Sequence, residues 1–131
     1  MTNRDHTQAS GSLAGVRVLE CANIGPGPHC GMLLSDLGAE VLRIDRREGG
    51  PSAKKIVDRG RYRLAVEIRE PGGRDLCRAI AEKTNIVLEG LRPGVMERLG
   101  LEPQSLCGAN SQLSYVRLAA WGQIGQRAIR S

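Results

Sequence analysis

The chain has 131 residues, of which 40% are apolar, 25% charged and 2% aromatic, with no Phe. That suits one domain with an aliphatic core, and no apolar run approaches the ~20 residues a membrane span requires. A formal charge of +5 and a pI of about 9.4 favour an anionic partner without choosing among phosphates, nucleic acid and membranes.

The polar opening (Thr2, Asn3, Arg4, Asp5) does not make a signal peptide, and residues 1–12 are expected to form a frayed leader. A first strand is expected at 16–21, apolar almost throughout, as in a sheet covered on both faces. A turn rich in Gly and Pro follows at 23–28. A helix then runs over 29–37, with Pro28 near its first turn and Gly38 as its C′ residue. The second strand, 40–44, leads into Asp45 and Arg46. Strand, helix and strand joined by short connections make a βαβ unit with a right-handed crossover. Ligands of such sheets gather outside the carboxyl ends of the strands.

The connection 47–60 carries Gly49-Gly50-Pro51-Ser52, and its length marks it as mobile or functional. Residues 46–63 hold Arg46, Arg47, Lys54, Lys55, Arg59, Arg61 and Arg63 against Glu48 and Asp58. Such a run is either a solvated basic loop or an anion-binding one. The third strand is expected at 64–68. A helix after Pro71 has Leu76 and Ile80 on its inner face, Gly72 or Gly73 one turn before, and Ala79 beside them. The fourth strand, 86–88, runs into Glu89-Gly90-Leu91-Arg92. Short helices are expected at 94–99, ended by Gly100, and at 102–108, then a fifth strand at 113–118. The tail 119–131 shows no pattern. The order predicts an α/β fold, a three-layer Rossmann-like parallel sheet flanked by helices over 13–118.

Cysteines stand at 21, 30, 77 and 107 without a CxxC pair, so no zinc site is predicted. Cys21, Cys30 and Cys77 read as small core residues of a reduced, cytoplasmic protein. Gly25, Gly27 and Gly31 precede Asp45 in a spacing close to the dinucleotide fingerprint. The spacing has one residue too many, and Pro26 and Pro28 lack the amide hydrogens a pyrophosphate cradle needs. A close helix–strand contact explains these glycines equally well. His29 lies at a helix N-terminus, where the dipole disfavours its protonated form.

Several blocks together resemble the class III CoA-transferase family (CaiB/BaiF type). They are Leu13-Ala14-Gly15-Val16-Arg17-Val18-Leu19-Glu20, Gly25-Pro26-Gly27-Pro28, Asp36-Leu37-Gly38-Ala39-Glu40-Val41 and Arg43-Ile44-Asp45-Arg46. Further on come 89–100, Tyr115-Val116-Arg117-Leu118 and Trp121-Gly122-Gln123. The form Ile24-Gly25-Pro26-Gly27-Pro28-His29 favours the α-methylacyl-CoA racemase branch. The resemblance implies that the Rossmann-like domain binds the coenzyme A moiety of an acyl-CoA substrate, with no tightly held cofactor. It places that binding at Arg46, at Val66, Glu67, Ile68 and Arg69, at Gly90, Leu91 and Arg92, and at Arg98. Arg offers a planar fork of donors to phosphate oxygens, and a glycine lets the backbone approach a ligand closely.

The resemblance also implies a homodimer. It puts the acid/base pair in a Gly-His-Asp motif shortly after the Trp-Gly-Gln turn and in a later Asp. Gln126 to Ser131 hold neither, so no catalytic residue is assigned here. The chain is expected to be an N-terminal fragment, inactive alone and incomplete relative to the family. Other readings are a CoA transferase of the same family, an NAD(P)-binding Rossmann domain, and a basic nucleic-acid-binding adaptor. The adaptor reading is poorly served, because only Tyr62 offers a stacking ring within 46–63.

Overall fold

The computed structural model describes residues 10–21, 25–46 and 56–128. One sheet contains β1 (Arg17–Cys21), β2 (Glu40–Asp45), β3 (Tyr62–Ala65), β4 (Ile86–Glu89) and β5 (Ser114–Arg117). Its order is β3-β2-β1-β4-β5, and every neighbouring pair is parallel. The connections are made by α1 (Pro26–Asp36), α2 (Pro71–Ala81), α3 (Val95–Leu99) and α4 (Pro103–Ala109), with a single 3₁₀ turn, Ile56–Asp58, before β3. The expected α/β class and Rossmann-like parallel sheet are what the chain forms. The strand order reverses at β1, and all carboxyl ends lie along one edge. Sheets of this kind open a ligand crevice at that point.

Each face of the sheet buries its own cluster. Leu19 and Cys21 of β1 join Ile44, Val87, Cys77 of α2, Met96 of α3 and Leu106 of α4. Val18, one residue out of phase, joins Val41 and Leu88, with Cys30 and Leu34 of α1 packed against them. Alternate residues of one strand thus serve opposite layers. Full burial of each Leu or Val stabilises by about 1.5–3 kcal/mol.

Several element boundaries and faces differ from expectation. Helix α1 starts at Pro26, three residues early, because Gly25 takes φ +79 and places Pro26 in the first turn, where no N–H is needed. Strand β3 is Tyr62–Ala65 rather than 64–68, since its ladder can run only as far as β2, where Asp45 pairs with Ala65. One further bond, from Val66 N–H to the Asp45 carbonyl, closes that edge. Helix α2 turns Cys77 and Ala81 inward, while Leu76 is exposed. Small residues face the sheet there because the helix lies close: a Cβ on Gly73 would overlap the Glu67 carbonyl. Cys30 is half-buried, unlike Cys21 and Cys77.

Residues 1–9 of the expected leader lie outside the described residues. Gly11 sits against the end of α1, where a Cβ would overlap the Leu37 carbonyl. In the tail, Ala128 is buried and the Arg127 guanidinium lies 5.3 Å from the centre of the Trp121 ring. Among the described residues, no helix is long and apolar enough to cross a membrane.

Candidate functional site

Two groups of residues flank the carboxyl end of β1. On one side β2 ends at Asp45, and Arg46 follows, exposed. Beside it, 66–69 form the turn from β3 into α2. The Val66 and Ile68 side chains pack into or against the larger core cluster. Glu67 accepts the Arg69 N–H through Oε1 at 3.1 Å, and its carbonyl accepts the Glu70 N–H at 3.1 Å.

On the other side, Gly90 N–H donates to the Cys21 carbonyl at 3.3 Å, tying the end of β4 to the end of β1. Leu91 N–H donates to Glu89 Oε2 at 2.9 Å. The Arg92 carbonyl accepts the Val95 N–H, and the Gly94 carbonyl accepts the Arg98 N–H. Gly94 takes φ +83, which turns the chain into α3, the helix that carries Arg98. Residues 22–24, between β1 and α1, lie outside the described residues.

The arginines divide into two classes. Among the described residues, no ion pair engages Arg46, Arg69, Arg92 or Arg98, and all four are exposed. Asp45, which precedes Arg46 in the chain, is held by Arg43 Nε at 2.8 Å and Arg63 Nε at 2.5 Å. Within the basic run, Arg59 pairs with Asp36, Arg61 with Glu20 and Asp58, and Arg63 with Asp45. Three of its cations therefore serve the fold. Arg47, Lys54 and Lys55 lie outside the described residues.

Two charged networks support the flanks, and neither emerged from the sequence. On the first, Glu20 of β1 and Arg61 are fully buried; the Nη1 donor lies 2.7 and 2.5 Å from the two carboxylate oxygens. Asp58 bonds both Arg61, at 3.2 Å, and Arg43, at 2.9 Å. Burial pushes the Glu20 carboxyl above its ordinary value, while the Arg61 hydrogen bond and charge pull it back.

On the second, buried Glu89 has Oε1 3.2 Å from Arg117 Nε, and Arg117 Nη2 bonds Glu97 Oε1 at 2.5 Å. Burial raises the Glu89 carboxyl, opposed by the Leu91 N–H and the Arg117 charge. The available signal was a carboxylate inside each apolar strand. A strand covered on both faces cannot carry one without a partner.

The dinucleotide reading loses support from the same geometry. A Cβ on Gly31 would overlap the Glu20 carboxylate, so that glycine admits a buried ion pair. Asp45, the acid that would meet ribose hydroxyls, already has two arginines. His29 is exposed on α1. Among the described residues, no three His, Cys, Asp or Glu side chains could hold a metal ion together.

The family model described as CoA-transferase family III matches residues 13–131. The chain is 42% identical over 113 residues to the α-methylacyl-CoA racemase of Mus musculus, covering 86% of this chain and 29% of that protein. It is 37% identical over 114 residues to the human racemase, covering 87% and 30%. It is also 33% identical over 124 residues to the succinyl-CoA–D-citramalate CoA-transferase of Chloroflexus aurantiacus, covering 84% and 31%. A crystal structure of the hypothetical protein Rv3272 from Mycobacterium tuberculosis superposes with a TM-score of 0.85 at 32% identity, over 95% of this chain and 37% of that one. The chain thus spans about 30% of the length of these curated relatives.

Proposed function

Because the chain belongs to CoA-transferase family III, we propose that it is the CoA-binding part of an enzyme most like an α-methylacyl-CoA racemase. The observation that carries this reading is the set of exposed arginines, without an ion pair among the described residues, in the segments that follow β2 and β4 on the two flanks of β1. CoA presents a pyrophosphate and a 3′-phosphate. Arg46 on one flank, and Arg92 and Arg98 on the other, supply the charge and the forked donors to hold them. Gly90 lets the backbone meet the adenine or the pantetheine arm, and Leu91 covers it. The Val66 and Ile68 side chains are engaged in packing, so the 66–69 turn contributes chiefly through its backbone and Arg69.

Epimerising a 2-methylacyl thioester requires one group to take the α-proton and another to return it on the opposite face, with donors for the enolate oxygen. No residue of this chain is given that work. These residues bind and orient the carrier, and they do not exchange the proton alone. The racemase reading is preferred over CoA transfer because identity to the two racemases, 42% and 37%, exceeds the 33% to the citramalate transferase. The reading includes acyl-CoA or CoA as partner, a homodimer as the working assembly and a cytoplasmic setting.

Isothermal titration with CoA tests it. Saturable binding is expected, and no saturable heat at millimolar CoA would remove the reading. In deuterated water, α-proton exchange of a 2-methylacyl-CoA by this polypeptide alone would overturn the division of labour.

A further inference from the structure

We propose that Arg117 is a positioning residue: it staples the two ends of the 89–97 segment and so sets where Arg92 and Arg98 point. The inference rests on the CoA-binding reading of that segment. Its geometry is independent of the reading.

Glu89 is the last residue of β4 and is buried; Glu97 lies on α3, immediately before Arg98. Arg117, the last residue of β5, reaches both carboxylates. Its Nε is 3.2 Å from Glu89 Oε1, near enough for an ion pair, and its Nη2 hydrogen-bonds Glu97 Oε1 at 2.5 Å. The strand beneath is fixed as well, since Leu118 N–H donates to the Glu89 carbonyl at 2.9 Å. The guanidinium also lies 5.6 Å from the centre of the Tyr115 ring, and Tyr115 OH donates to the Leu101 carbonyl just past α3. The staple is therefore anchored on β5 and closes on both ends of the connection that carries Arg92.

The arrangement has two consequences. It fixes a short connection that a glycine at φ +83 would otherwise leave free to hinge. It also occupies Glu97. With Arg117 gone, that carboxylate loses the cation that ties α3 to the end of β5. Only an arginine spans both acids in one plane; a lysine ammonium holds one at a time.

The test uses the full chain, CoA titration and amide hydrogen exchange. Arg117→Met is expected to weaken CoA binding about tenfold, and Arg117→Lys, which keeps the charge and the fold, about threefold. Both should speed exchange at the Leu91, Val95 and Arg98 amides and leave Leu19 and Val41 unchanged. In an Arg92→Ala/Arg98→Ala background, either substitution should cost less than about twofold, because the groups it positions are absent. Unchanged affinity in Arg117→Lys and Arg117→Met, or a loss that persists in full in that background, overturns the inference while CoA binding by the unsubstituted chain stands. An unsubstituted chain that binds no CoA overturns the parent reading and this one together.

Discussion

Glu20 and Arg61, 41 positions apart, close an ion pair over the face of β2, at 2.5 and 2.7 Å, with neither side chain exposed. Strands β1 and β3 are not neighbours, so the pair bridges the strand between them. Glu20 lies opposite Arg43 in register, and Arg43 opposite Arg63, which puts a row of charge across one layer of the sheet. Gly31 of α1 leaves the space for it. The network ends at Asp45, directly before Arg46, so the fold fixes the end of β2 from beneath.

Removing one partner of that pair strands a buried charge. Glu20→Ala or Arg61→Ala should therefore lower stability by about 3–5 kcal/mol, whereas Glu20→Leu/Arg61→Met should recover most of the loss. Urea unfolding followed by circular dichroism measures both. Single variants that unfold at the wild-type midpoint would show that water reaches the pair.

Adjacent glycines of α2 should respond in opposite directions. A Cβ at Gly72 meets nothing within 4 Å, so Gly72→Ala should stabilise by about 0.4–1 kcal/mol through helix propensity and a less flexible unfolded chain. A Cβ at Gly73 overlaps the Glu67 carbonyl, so Gly73→Ala should cost about 1–3 kcal/mol. Thermal melts of the two variants decide it. Equal shifts would mean that α2 is free to move away from the sheet.

The strand–turn–helix–strand plan was legible because each element has its own period and its own stop signal: Gly38 after α1 takes φ +100, and Gly100 after α3 takes φ +66. A third strand before Pro71 was legible, but its bounds depended on where β2 stops. On the inner face of α2, Ile80 packs against the core as expected and Leu76 does not; hydrophobicity ranks Leu76 above Cys77. Close approach at Gly73 ranks them the other way. The arginines without an ion pair among the described residues could be located in the segments after strands, but which cations of the basic run were already committed could not. Arg61 finds Glu20 only once β1, β2 and β3 stand side by side.

The pair Asp36–Arg59 gives a pH signature. Arg59 donates through Nε at 3.0 Å and Nη2 at 2.6 Å, and this hydrogen bonding holds the Asp36 carboxyl below its ordinary value of 3.8. A depressed value in the folded state stabilises above the unfolded value, and the gain is lost as pH falls through the folded one. The urea midpoints of wild type and Asp36→Asn should differ above the ordinary value of 3.8 and converge once pH has fallen through the lower, folded-state value. Both side chains are largely exposed, so the gap should be small and should shrink in about 1 M salt. A gap independent of pH would assign the effect to packing.

The thiols should react in two classes. Burial pushes Cys77 up to about 11 and raises Cys21 further, so both remain thiols at mildly alkaline pH and are shielded as well. Cys30 and Cys107 are half-buried. With a thiol-exchange reagent at about pH 8, Cys30 and Cys107 should label first, and Cys21 and Cys77 only at the rate of unfolding. Rapid labelling of Cys77 in the native chain would place the α2 layer in exchange with solvent.

Arg46 and Arg98 stand on opposite flanks of β1, on different elements, with no shared partner. Arg46→Ala and Arg98→Ala should each weaken CoA binding by about 1–3 kcal/mol, the range of a charge-assisted bond to phosphate, and the two losses should add. Arg59→Ala is the control: it removes the same charge from the basic run, but its guanidinium is already committed to Asp36. Calorimetric titration at a fixed salt concentration separates the cases. If Arg59→Ala costs as much as Arg46→Ala, the ligand senses only net charge. If neither Arg46→Ala nor Arg98→Ala changes the affinity, the phosphates lie elsewhere on the sheet edge.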